Sequence, residues 1–123
     1  MMTTRGTLLV IAGVEGGGVT LYGEKRDDGT WRFRRSYADQ TPLMLDEPAI
    51  ERGSAWMESW EEALRDLDEH GWHRLPGVHV HPEFRARVWE AIQERLGDPS
   101  DGRGARILQR WKERCGMGPN GLT

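Results

Sequence analysis

The hydrophobic positions of this chain change period from the N-terminus onward. Residues 7–12 (TLLVIA) are an unbroken aliphatic and β-branched run between Gly6 and Gly13. The run is too short for an independent helix and predicts a strand buried on both faces, hence central in its sheet. After a glycine-rich stretch at residues 13–18 the pattern alternates, with Val19, Leu21 and Gly23 on one face and Thr20, Tyr22 and Glu24 on the other. That pattern predicts a hairpin with a loose loop. Asp28-Gly29 marks a turn, since this dipeptide tolerates positive φ. Beyond it Trp31, Phe33, Arg35 and Tyr37 alternate with Arg32, Arg34 and Ser36. Together these segments predict a three-stranded antiparallel meander over residues 7–37.

From residue 59 the period becomes helical. Ser59 with Glu62 three residues on matches a capping box. Trp60, Ala63, Leu64 and Leu67 fall at i, i+3, i+4 and i+7 and make one apolar stripe, which Gly71 ends. Pro76-Gly77 predicts a turn and residues 78–80 a short strand. Pro82 opens a second helix at its first position, with Glu83 in the first turn. Phe84, Val88, Ala91, Ile92 and Leu96 form its buried face, Trp89 its flank, and Gly97 with Pro99 its end. A third helix carries Ile107, Leu108, Trp111 and Cys115 on one side. Residues 38–53, punctuated by Pro42, Pro48 and Gly53, read as an acidic surface excursion, with room for an edge strand at 43–45 and a return to the sheet at 55–57. The fold class is therefore α+β: an antiparallel β-meander of three or more strands with two to three amphipathic helices packed on one face. Residues 1–115 form one domain, and residues 116–123 a flexible tail.

Composition narrows the function classes. At 123 residues, with 37% hydrophobic and 30% charged positions, the chain is polar, yet its six tryptophans and regular apolar periods support a folded core. Arg5 followed by residues 7–14 has the rough form of a signal peptide. The run is short, Gly13 breaks it and strand alternation follows at once, so it reads as the first strand. No segment has the length of a membrane span. Cys115 is the single cysteine, which excludes an internal disulfide and suits a reducing cytoplasm. The net charge of -3 is unevenly spread: 6 basic and 5 acidic side chains over residues 1–40, 2 and 9 over 41–70, and 9 and 6 over 71–123. An acidic middle argues against a dedicated nucleic-acid binder.

The segments EGGGVTLYG (residues 15–23), WMESWEEAL (56–64), GWHRLPGVHVHPEFRARVW (71–89) and RWKERCG (110–116) resemble those of a family of small bacterial hypothetical proteins. The resemblance implies a bacterial, cytoplasmic, single-domain protein and carries no activity, ligand or catalytic residue to these positions. In size and acidic middle the chain is also similar in format to immunity proteins and other small toxin inhibitors, without a shared motif.

Candidate chemistry is sparse. His79 and His81, two apart on a strand, share a face with the spacing of an H-x-H metal pair, to which His73 or Glu83 would add a third ligand. The competing reading makes them strand residues, with His81 at the N-cap position before Pro82. The glycines at 13–18 lead into a strand, whereas phosphate-cradling loops lead into a helix, so they serve a hairpin. Nothing near Cys115 in sequence activates it as a nucleophile. Arg32 and Arg34, with Tyr22 across the hairpin, offer a basic and aromatic face for single-stranded nucleic acid, or simply a solvated one balanced by Glu24 and Asp28.

Trp56 and Trp72 flank the first helix, where a tryptophan either closes the core or anchors a partner. With His73 and the acidic helix positions Glu61, Glu62, Asp66 and Glu69 they form the candidate partner-binding set, suited to a basic protein. The sequence thus points first to a protein-binding or regulatory module. A small-molecule or metal site at His73, His79 and His81 comes second, and single-stranded nucleic acid at Arg32 and Arg34 third. No cofactor and no catalytic constellation follow from the residues. A free sheet edge at residues 19–25 or 31–37 leaves room for a homodimer.

Overall fold

The alternating segments pair as their periods require. In a computed structural model of the chain, which describes residues 7–14, 17–36, 55–118 and 121–122, β1 (Thr7–Val14), β2 (Gly17–Lys25) and β3 (Trp31–Ser36) form the antiparallel meander. The later strand β4 (Gly77–Val80) pairs antiparallel with the other side of β1, giving the order β3-β2-β1-β4. The aliphatic run at 7–12 is therefore an inner strand. A register shift between Leu8 and Val10 turns both Leu9 and Val10 into the core, at 0% and 1% exposure. In the 55–57 segment Met57 forms a bridge to Phe33 with N–H···O distances of 2.8 and 2.7 Å. Tyr37 and the expected edge strand at 43–45 lie outside the described residues.

Three α-helices cover one face of the sheet: α1 (Trp60–Glu69), α2 (Arg85–Leu96) and α3 (Gly102–Arg114). Ser59 caps α1 by accepting from the Glu62 N–H at 3.1 Å, and Gly71 beyond it takes the left-handed φ of 67° that a side chain would disfavour. Pro82 does not start α2 directly. A 3₁₀ turn, Pro82–Phe84, comes first, and His81 caps it by accepting from the Glu83 N–H at 3.2 Å. Among the described residues, Met117–Gly118 and Gly121–Leu122 pair as a further two-stranded ladder, and no helix is long and apolar enough to cross a membrane.

The core lies between sheet and helices. Leu9, Val10, Ala12, Leu21 and Phe33 from the sheet meet Ala63, Leu67, Val88, Ile92 and Trp111 from the helices. Trp72, on a 3₁₀ turn at Trp72–Arg74, and Trp111 are fully buried and meet edge to face at 5.2 Å between centroids. Each stabilises the fold by about 2–3 kcal/mol or more through burial. Their indole N–H groups are both satisfied, Trp72 donating to Asp68 and Trp111 to the Leu75 carbonyl, at 2.9 Å in each case. The Trp111 ring packs against β4 at Gly77, so close that a Cβ there would stand 2.7 Å from it. Sequence pattern leaves Trp72 either to close the core or to anchor a partner; here it is a core residue and not an anchor, because the turn after α1 places its ring against Trp111 of α3.

Candidate functional site

Arg35 sits on the core side of β3, opposite Leu21, where the alternation calls for an apolar residue. A buried guanidinium needs a carboxylate. Asp66 of α1 supplies it, accepting from Arg35 Nε at 2.7 Å, with the two side chains 9% and 18% exposed. Asp66 is therefore internal glue between α1 and β3, not part of an outward acidic face. Glu61, Glu62 and Glu69 do face solvent. Asp68, which the sequence reading did not single out, accepts from Arg95 of α2 through Nε at 2.6 Å and Nη2 at 2.8 Å, as well as from Trp72. The Arg95 hydrogen bonds hold the Asp68 carboxyl below the usual carboxylate value; partial burial opposes this and the Trp72 bond adds to it.

Asp68 against Arg95 fixes the C-terminal ends of α1 and α2 together. At the other end the Trp60 ring lies 5.5 Å from Phe84, just before α2, and 5.8 Å from Phe33 beneath. The two helices therefore run side by side in the same direction. Between them lies an open groove of about 480 Å³, lined by Trp60, Glu61 and Leu64 from α1 and by Arg87, Glu90, Ala91 and Glu94 from α2. Trp60 and Leu64 are only partly buried, so apolar surface reaches solvent there. Ala91, 4% exposed, keeps the α2 wall low. Three carboxylates and one guanidinium stand around the apolar strip. Glu61 belongs to the acidic set read from sequence. Trp60 and Leu64 belong to the apolar stripe read from sequence, and both pack against the core from its edge. Glu90 and Glu94 went unremarked; their signal was an i, i+4 acidic pair on the polar side of the second helix, flanking a small residue.

The remaining candidates lie elsewhere. Trp56 is half-buried on the opposite face of the sheet, with the Arg32 guanidinium 4.0 Å and that of Arg34 5.5 Å from its ring centroid. Arg32 is also ion-paired to Glu24 at 2.8 Å, and Tyr22 is only 4% exposed. The basic and aromatic surface expected there is thus engaged within the protein. Trp56 and Trp72, one on each side of the sheet, do not share a site.

The three candidate histidines sit in three settings. His73 lies in the turn after α1, and burial pushes its imidazole below the ordinary value, Asp68 partly opposing. Its Nδ1 is buried without a hydrogen-bond partner among the described residues. His79 is in β4 across from Ile11, and burial lowers it too. His81 follows the strand; its Nδ1 is occupied in capping the 3₁₀ turn, and its ring stands edge-on to Trp31 and Phe84. No three His, Cys, Asp or Glu side chains gather as metal ligands among the described residues. Cys115 is fully buried, and burial pushes its thiol up to about 12.

Comparison of the chain with protein-family models, with curated protein sequences and with solved structures finds no match in any of the three.

Proposed function

We propose that this protein is a binding module, of the immunity or inhibitor type in its format, that docks another protein on its α1–α2 face. The observation that carries the reading is the groove itself: partly exposed Trp60 and Leu64 in a cleft of about 480 Å³ between two clamped helices. A tryptophan set in a pocket, with polar side chains around it, is the anatomy of an interface hot spot. The cleft has the volume of a small-molecule pocket, roughly 300–1,000 Å³. It is open to solvent, and its polar groups are charged side chains, which suits side chains of a partner better than an enclosed ligand. The engaged state of Arg32 weighs against the strand-binding alternative, and the separate settings of His73, His79 and His81 weigh against a shared metal site.

The test places a photo-crosslinking amino acid at Arg87, in the groove, and separately at Gln109, on the exposed side of α3, in the full chain within its native host. A discrete protein adduct from position 87 and none from position 109 is the expected result. Equal labelling from both positions, or none from either, would end the reading.

A further inference from the structure

The groove has a charge pattern as well as a shape, and we infer that its occupant is an amphipathic helix of the partner that carries Lys or Arg beside its apolar stripe and runs antiparallel to α1 and α2. The inference rests on the protein-docking reading above. Trp60 and Leu64 are one helical turn apart on α1, with Ala91 facing them from α2, so the exposed apolar strip is narrow and follows the helix direction. A strip between two helices takes the apolar face of a third helix, read as anchors at i, i+3 or i+4 and i+7.

Charge then selects which helix. Glu90 and Glu94 stand one turn apart along one rim and Glu61 stands on the other, against one cation, Arg87, among the lining residues. Cations at i and i+4 on one flank of the guest's apolar stripe, and one cation on the other flank, would meet these carboxylates. An acidic guest would place like charges together in a partly desolvated cleft, an arrangement that interfaces disfavour. Direction follows from the helix dipoles. Arg87 lies at the N-terminal end of the groove and Glu94 at its C-terminal end. A guest running antiparallel sets its carbonyl end over Arg87 and its N–H end over Glu94, whereas a parallel guest would oppose both. α1 and α2 already point the same way, so an antiparallel third helix also offsets their aligned dipoles.

The experiment uses the intact protein and two synthetic amphipathic peptides of roughly 18 residues, long enough to hold helical structure. One has a Leu stripe flanked by Lys, the other the same stripe flanked by Glu. Binding is followed by calorimetry at low salt. The expected result is that the Leu/Lys peptide binds and the Leu/Glu peptide does not. Glu90→Lys with Glu94→Lys should weaken the first by at least about tenfold and create binding of the second. Both substitutions are at exposed positions, and an unchanged melting curve shows that the variant is folded. A nitroxide at the C-terminus of the Leu/Lys peptide should broaden the Trp60 indole signal in NMR spectra. Broadening centred on Glu94 instead overturns the antiparallel arrangement. Equal binding of both peptides, no binding of either, or Leu/Lys binding that the double variant leaves unchanged overturns the cationic helix. An adduct from position 87 that maps to this protein's own chain does so too. In each peptide outcome, a specific adduct from position 87 to another protein leaves the docking reading standing.

Discussion

Replacing Asp68 with alanine removes the acceptor from three N–H groups at once: two on Arg95, at 2.6 and 2.8 Å, and the indole of Trp72, at 2.9 Å. Trp72 is fully buried, so its N–H has no water to turn to. An unsatisfied buried donor costs about 1–3 kcal/mol. Arg95 is better placed, because its side chain is 21% exposed and its Nη1 still donates to the Ala91 carbonyl at 3.0 Å. The Asp68 side chain is 36% exposed, so solvent screens the ion pair, whose loss adds about 1 kcal/mol. The expected destabilisation is about 2–4 kcal/mol for Asp68→Ala. Asp68→Asn should cost about 1–2 kcal/mol, because an amide oxygen still accepts from the indole while the charge is gone.

Urea unfolding followed by tryptophan fluorescence reads these values directly. For a domain of this size the alanine variant should shift the midpoint down by roughly 1–2 M with an unchanged slope. Acid adds a second readout. The folded Asp68 carboxyl titrates below its unfolded value, so its stabilisation is complete above the ordinary carboxylate range and is lost as pH falls through the lowered folded value. Asp68→Asn should therefore be less sensitive to acid than wild type. If both variants fall within about 0.5 kcal/mol of wild type, as ordinary surface substitutions do, the clamp does not hold the ends of α1 and α2 together. The groove would then have no fixed walls.

Three further outcomes follow from the same structure. Burial lowers both His73 and His79, so the unfolded chain protonates first and stability is lost as pH falls from above the ordinary imidazole value through the lowered folded ones. The urea midpoint should drop between about pH 7.5 and about pH 5.5, and a His73→Gln, His79→Gln variant should show a flatter profile; a wild-type midpoint independent of pH over that range contradicts this. Cys115, fully buried with its thiol pushed up to about 12, should react with an aromatic disulfide reagent at least about 100-fold more slowly in the native protein than in urea; comparable rates would show that it is accessible. Gly77→Ala should destabilise by about 1–3 kcal/mol, because the new methyl group lands 2.7 Å from the Trp111 ring; full retention of stability would mean that Trp111 does not rest on β4.

Much of the architecture was legible because local signals and tertiary packing agree here. The aliphatic run at 7–12, the alternation after it, the cap at Ser59 and the stops at Gly71 and Gly97 each correspond to an observed element. Arg35 shows where period alone falls short. Alternation places it on the core side, but only the approach of α1 reveals that Asp66 neutralises it. By sequence Asp66 therefore reads as a surface acid and Trp72 stays between core and anchor, since a turn's sequence does not say which way an indole points. The groove was less legible still. It needs two helices brought side by side, and the partners that align them, Asp68 and Arg95, are 27 residues apart. Glu90, Ala91 and Glu94 gain meaning only when Leu64 and Trp60 stand opposite them.

The central claim, that the protein engages its partner at the α1–α2 groove, has a direct spectroscopic test in its six tryptophans, each of which gives one indole N–H signal. Titrating the isotopically labelled full chain with the Leu/Lys helix should move the Trp60 indole signal together with the backbone amides of Glu61, Leu64, Glu90, Ala91 and Glu94. The Trp56, Trp72 and Trp111 indoles should stay in place. Movement of Trp56 together with the amides of Arg32 and Arg34, while Trp60 is unmoved, would put binding on the opposite face of the sheet and contradict the account.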